Sequence, residues 1–208
     1  MPSLPGIELS GRRRRLSPDE RRREIVAAAT DVFAARPYEE VSLREIARAA
    51  RSSRALVTHY FGDKRRLFLA VVERFADEAA ATVTADPSLP PERLMAANLD
   101  AVMDFLARHR NTVGALVGAG PFGHDPALAA ALDGLRDAIV ERMLGNRFGD
   151  GEPPPAARFA LRAYTGFCAV ALSDWLRGDV TREEAHRLML STLRSVVAEL
   201  AAEARRPR

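Results

Sequence analysis

Between residues 42 and 64 the chain gathers side chains able to contact a polyanion: Ser42, Arg44, Arg51, Ser52, Ser53, Arg54, Thr58, His59, Tyr60 and Lys64. Arginine and lysine neutralise phosphates, and arginine, serine and threonine also bond to base edges. Ser42 and Glu45 have the spacing of a capping box, which starts a helix at Leu43. Leu43, Ile46, Ala47 and Ala50 then share one face, at i, i+3, i+4 and i+7. After Arg51, either Ser52 or Ser53 can cap a second helix. That helix turns Val57, Tyr60 and Phe61 inward and leaves Ser53, Arg54, Leu56 and His59 facing out. A short helix with outward donors and basic surroundings suits the major groove of DNA.

The charge distribution supports this. Of the 31 basic residues 30 are arginine, the exception being Lys64. Residues 1–66 hold 15 of them against 9 acids, a net of +6, while residues 67–208 hold 16 against 19, a net of −3. The positive field therefore surrounds the stretch that would meet a polyanion. Lys64 opens a helix, where a cation opposes the dipole by a few tenths of a kcal/mol, roughly. A partner phosphate would offset that cost.

Other chemistries find little support. The single cysteine, Cys168, excludes an internal disulfide framework and a cysteine-based zinc site. Residues 118–123, Gly-Ala-Gly-Pro-Phe-Gly, match the pattern of a dinucleotide-binding loop. A helical segment precedes them where a strand is required, and Pro121 removes one N–H, so they make an interhelical loop. His124-Asp125 has no third ligand, and Asp125-Pro126 suits a helix start. His109 and His186 are isolated, and no catalytic triad or carboxylate pair stands out. The chain implies no cofactor. It has no apolar run long enough to span a bilayer and no apolar N-terminal signal region, so a cytoplasmic protein is expected.

The elements that must hold this stretch are helical throughout. Residues 1–17, with Arg12 to Arg15, make a disordered basic arm that could reach phosphates once the rest is docked. A first helix begins at Ser17-Pro18-Asp19-Glu20 and ends before Pro37. The two helices above follow, then a fourth from Asp63 that fades near Ala85. Residues 18–80 form the DNA-binding domain, and Pro87, Pro90 and Pro91 mark the break to residues 81–208. Five further helices are expected at about 91–109, 111–118, 126–147, 156–177 and 181–204. The fold class is all-α, with about nine helices: an N-terminal three-helix helix-turn-helix domain and a C-terminal helical domain for ligand binding and dimerisation.

Residues 163–172 are almost continuously apolar, and the last helix repeats Leu188, Met189, Thr192, Leu193, Val196, Val197 and Leu200 at steps of 3 and 4. This apolar surface could complete a monomer core or meet its copy in a four-helix bundle. The dimer is favoured because two long apolar helices exceed what their neighbours need. Its interface would use Phe167, Val170, Met189, Leu193, Val196 and Val197. A ligand pocket would draw on Phe105, Phe122, Phe167 and Trp175.

The sequence resembles the tetracycline-repressor (TetR) family of bacterial regulators. The likeness lies in Ile25-Val-Ala-Ala-Ala with Val32-Phe33, in residues 41–47, in residues 53–64 and in Leu67-Phe68. Beyond them it extends only to helical layout and to Trp175-Leu-Arg-Gly before the last helix. It implies a homodimer that binds a pseudo-palindromic site on double-stranded DNA and releases it when an unidentified small molecule enters the C-terminal domain. Ser42 and Arg44 would then lie near phosphates, Ser52, Ser53, Arg54, Ala55 and Leu56 would face the major groove, and His59, Tyr60 and Lys64 would flank the backbone. Two positions depart from the family pattern. Arg51 stands where glycine is common, so the turn either strains Arg51, which a phosphate contact could repay, or has another shape. Thr58 replaces a frequent aromatic and implies a weaker phosphate contact. The alternative is a helical small-molecule-binding protein or enzyme with an N-terminal protein-interaction module.

Overall fold

The computed structural model describes residues 16–86, 88–116, 125–149 and 151–203. Among them all regular structure is helical: α1 (Pro18–Ala35), α2 (Leu43–Ala49), α3 (Arg54–Phe61), α4 (Lys64–Ala81), α5 (Pro91–Arg108), α6 (Arg110–Leu116), α7 (Pro126–Phe148), α8 (Pro155–Arg177) and α9 (Arg182–Glu203). A 3-10 turn, Tyr38–Glu40, joins α1 to α2. The basic arm, apart from Leu16 and Ser17, and the glycine-rich loop with Phe122 and His124 lie outside the described residues.

Local chemistry fixes the first four helices. Ser17 and Glu20 close one capping box and Ser42 and Glu45 a second, each satisfying two otherwise unpaired N–H groups. Ser53 caps α3 and Asp63 caps α4, each accepting from the backbone N–H three residues on. Gly62, at φ 77° and ψ −71°, closes a tight turn in which Asp63 N donates to Phe61 O at 3.0 Å, and this lets α3 stop and α4 start two residues later.

These helices surround a core of Ile25, Phe33, Ile46, Val57, Leu67, Phe68 and Val71, all essentially inaccessible. Ala115 and Leu116 of α6 and Leu128 of α7 complete it. The remaining helices bury Val140, Leu144, Leu161 and Tyr164 of α7 and α8 against Leu193 and Leu200 of α9. Beside them Leu99 and Met103 of α5 meet Ala185 and Met189. The long α4 runs between these regions: its first half belongs to the first core, while Phe75 and Ala79 pack on Phe105 of α5.

Two polar ties cross the same seam. Asn111 of α6 donates from Nδ2 to the carbonyl of Ala34, the last residue but one of α1, at 2.8 Å. Arg65 of α4 donates from Nε to Asp125 Oδ2 at 2.8 Å, while Oδ1 of the same carboxylate accepts from Ala127 N and caps α7. Burial alone would raise the Asp125 pKa, but the hydrogen bonds from Arg65, Ala127 and Leu128 outweigh it and leave it below the usual carboxylate range.

α4 ends at Ala81, four residues earlier than its composition suggests. The Thr82 hydroxyl donates to Ala79 O at 2.7 Å, and the amides of Thr82 and Val83 close on the carbonyls of Ala79 and Ala80. This tightened last turn satisfies the orphan carbonyls and stops the helix.

Candidate nucleic-acid interface

The α2–α3 turn has one specific shape. Ser52 N donates to Ala47 O at 2.8 Å and Arg51 N to Arg48 O at 3.1 Å. These are the paired bonds of a Schellman motif, which requires a left-handed residue between them. Arg51 takes that conformation at φ 48° and is the one non-glycine with positive φ among the described residues. Of the two alternatives left open by the sequence, the strained turn is the one observed. The cost to a residue bearing Cβ is about 1–2 kcal/mol.

The bonded turn sets α2 and α3 against each other and aims α3 outward. Val57 and Phe61 are buried, Leu56 and Tyr60 are half-buried, and Arg54, Ala55, Thr58 and His59 are exposed. The Ser53 hydroxyl accepts from Leu56 N at 3.1 Å. Ser42 is spent similarly: its hydroxyl accepts from Glu45 N and donates to Glu45 Oε2. Those bonds, with Arg36 donating to Oε1 at 2.6 Å, hold the Glu45 carboxyl below its usual range, the Ser42 backbone N–H contributing most.

Arg44, Arg51 and Arg54 are exposed, as is Arg48, which lies four residues beyond Arg44 on the same helical face. None of the four has an ion-pair partner among the described residues. Arg48 was missed by the sequence argument, although its i+4 spacing from Arg44 could have revealed it. An α-helix with its side chains is about 10–12 Å across and enters a major groove about 12 Å wide. From there Arg54 has the fork geometry for guanine N7 and O6, and the Ala55 methyl can meet a thymine methyl.

Two expected contacts need correction. The Ser52 hydroxyl is buried with no partner among the described residues, so it cannot face the groove. Lys64 turns inward: Nζ donates to Tyr38 O at 2.8 Å and Val41 O at 3.0 Å and lies 4.1 Å from the centre of the Tyr38 ring. Two of three N–H donors are therefore committed, and Lys64 ties the entry to α2 onto the start of α4. Tyr38 is held in turn by stacking on Phe33 and edge contact with Phe68, and burial raises the pKa of its phenol. No sequence spacing could have signalled a tie spanning 23 to 26 residues.

The other expected sites also move. A cavity of about 400 Å³ opens between α5, α7, α8 and α9, lined by Met95, Leu99, Val102, Leu161 and Tyr164 among others. Of the aromatics expected in a pocket, Phe105, Phe167 and Trp175 do not line it, and Phe122 lies outside the described residues. Phe105 is buried against Phe75 and His109, while Phe167 and Trp175 pack partly buried on the core around Met103 and Met189. Of the expected interface residues, Met189 is fully inaccessible inside its own protomer, and Leu193 is buried and lines the cavity with Val197. Phe167 and Val196 are half-buried in the same interior. Val170 alone is open, at 62% exposure. It continues a stripe on α8 that includes Phe159 at 76%, Ala163 and Gly166, and on α9 Leu188 is also exposed, at 53%.

Two short capped helices joined by a tight turn, the second outward and ringed by arginines without an ion-pair partner among the described residues, define a helix-turn-helix DNA-binding domain. Residues 25–71 match the profile described as "Bacterial regulatory proteins, tetR family". The N-terminal helices of this chain are thus similar to the tetR family over residues 25–71.

Among curated proteins, the HTH-type transcriptional activator FasR of Mycolicibacterium smegmatis is 32% identical over 135 residues, covering 62% of this chain and 59% of that protein. The HTH-type transcriptional repressor AcnR of Corynebacterium efficiens is 39% identical over 67 residues, 32% of this chain and 36% of that protein. The matches thus span less than two thirds of either relative. The crystal structure of a tetR-family transcriptional regulator from Streptomyces coelicolor superposes with a TM-score of 0.71 at 28% identity, covering 90% of this chain and 81% of that one. Among the described residues, no helix is long and apolar enough to cross a membrane.

Proposed function

We propose that the chain is a DNA-binding transcriptional regulator that acts as a homodimer and represses by occupying a pseudo-palindromic operator. The observation that carries this reading is the set of exposed arginines, Arg44, Arg48, Arg51 and Arg54, around the outward face of α3, none of them ion-paired among the described residues. Charges so arranged repel one another until a polyanion neutralises them. The matched relatives, one named as an activator and one as a repressor, support regulation in either sense. Repression is the simpler sense, since occupancy alone blocks access to the DNA.

The dimer brings two copies of α3 to successive major grooves, about 34 Å apart. It uses the exposed α8 stripe, where Gly166 has nothing within 4 Å of the space a Cβ would fill, so a partner helix can approach closely. Val170→Glu is expected to convert dimer to monomer in sedimentation while leaving the helical spectrum intact. An unchanged sedimentation coefficient would remove this interface. The cavity between α5, α7, α8 and α9 is the effector site, and its occupant shifts the protein toward a DNA-free state. The division at about residue 80, into DNA-binding and effector domains, belongs to the same proposal.

The deciding experiment is a gel shift with DNA from upstream of the protein's own gene, in excess competitor DNA at physiological salt. A discrete complex lost with Arg54→Ala is expected. Equal affinity for that DNA and for random DNA would refute sequence-specific regulation.

A further inference from the structure

The cavity is more selective than its size suggests. Of its lining residues the deep ones are apolar, including Leu99, Val102, Leu161 and Leu193, and no acid is among them. The three neutral polar residues in the wall are already engaged. The Tyr164 hydroxyl donates to Met189 O at 3.2 Å. Asn98 accepts from Thr84 N and donates to Thr84 O, each at 3.0 Å, and Asn146 donates to the same carbonyl at 2.8 Å. Beyond the remaining amide groups of Asn98 and Asn146, a ligand with several hydroxyl or amide groups would find few partners in this wall, which is unfavourable.

One charged side chain remains among the lining residues. Arg147 stands in the last turn of α7, exposed, with its guanidinium 5.4 Å from the centre of the Phe148 ring. It has no carboxylate partner among the described residues, unlike Arg158 and Arg162 on α8, which pair with Glu141 and Asp137 of the same α7. A cation there complements the helix dipole wherever it points in that turn. Here it also lies on the wall of an apolar cavity that offers a ligand no other charge.

We propose that the cavity takes an amphipathic anion, a single apolar chain ending in a carboxylate, with the chain in the cavity and the head on Arg147. A volume of 400 Å³ holds roughly a dozen water-sized groups, the size of a ten-carbon acid. Met95 and Met143 in the wall are pliable enough to fit around a flexible chain. This inference rests on the reading that the cavity is the effector site.

The test is calorimetric titration of the full-length protein, without DNA, using decanoate, decanol and decyltrimethylammonium. Decanoate is expected to bind once per protomer, about tenfold tighter than decanol, because a charge-assisted bond adds to the same burial. Decyltrimethylammonium should bind weakest. Arg147→Gln should reduce decanoate to the level of decanol and leave decanol unchanged. Val102→Trp and, independently, Met95→Trp should remove binding of both, with circular dichroism confirming the fold. The proposal is overturned if decanoate binds no better than decanol, if Arg147→Gln leaves their ratio intact, if both filled variants still bind decanoate, or if none of the three binds. A separate gel shift with decanoate present distinguishes the two readings. Tight binding without release of DNA would refute the effector role and leave the ligand assignment standing.

Discussion

The α2–α3 face and the α7–α8 seam use the same residue in opposite ways. At the seam Arg158 and Arg162 reach acids on the facing helix, and on α9 Arg182 pairs with Asp100 and Asp104 of α5. At the face Arg44, Arg48, Arg51 and Arg54 meet no acid among the described residues. In a chain whose basic residues are almost all arginine, residue type therefore carries little information and pairing carries much. A second contrast runs alongside. The first core closes Phe33, Tyr38 and Phe68 into mutually contacting rings, whereas the other end surrounds a cavity. The end that carries the α2–α3 face is closely packed and leaves its four arginines without ion pairs among the described residues; the other end pairs Arg158, Arg162 and Arg182 and is hollow, with Arg147 left on the cavity wall.

Four experiments would break or sharpen this contrast. The largest effect should come from Phe68→Ala, which opens the filled core and is expected to cost about 3–5 kcal/mol in urea unfolding. Leu161→Ala, on the cavity wall, should cost near 2 kcal/mol, roughly the low end for such a truncation, because one side of Leu161 already lacks neighbours. Equal costs would mean that the two ends are packed alike.

Next, Arg54→Ala should lose about 1–3 kcal/mol of operator affinity with relaxed base preference, while Arg162→Ala leaves DNA binding alone and shifts stability by less than about 1 kcal/mol. Comparable DNA losses from both would erase the distinction between free and paired arginines. Lys64→Met should destabilise the fold by about 1–3 kcal/mol, since it leaves two carbonyls short of a donor, yet keep the salt dependence of DNA binding. Arg44→Ala should do the reverse and lower the salt slope by about 1. A flattened slope with Lys64→Met would return Lys64 to the phosphates.

The smallest effect concerns pH. His109 is held below its usual value of 6.5, chiefly by burial beside Phe75 and Phe105 and further by Arg108, with Glu78 and Asp31 opposing. The unfolded chain then binds the proton more readily, so stability is complete above pH 6.5 and falls as the pH drops toward the folded value. A melting temperature that declines on acidification below pH 6.5 is expected, with a shallower decline in His109→Gln. Identical pH profiles would exclude His109 as the source.

The legible parts of this fold were those that local chemistry decides. The N-cap with proline at Ser17-Pro18, the capping box at Ser42 and the cap at Asp63 placed three helix starts, and the choice of Ser52 or Ser53 placed the fourth to within a residue, because a cap acts within three residues. The Tyr38–Glu40 turn escaped notice because Lys64, far along the chain, holds it. Periodicity showed that α9 is apolar without showing which neighbour covers it, so Met189 and Leu193 were read as facing outward when α5, α7 and α8 already bury them. A cavity is space that no side chain fills, and aromatic residue type pointed to Phe105, Phe167 and Trp175, which fill their own surroundings.

Asp125 gives the connection between the two ends a mechanical meaning. One carboxylate is both the cap of α7 and the anchor for Arg65 at the base of α4. It works as a pin through two levers. If α7 moves relative to α4, that carboxylate must give up either the helix it caps or the arginine it anchors. The α7 wall of the cavity and the helix that follows the arginine-bearing face are therefore joined through one carboxylate, beside the Asn111–Ala34 bond and the shared apolar core.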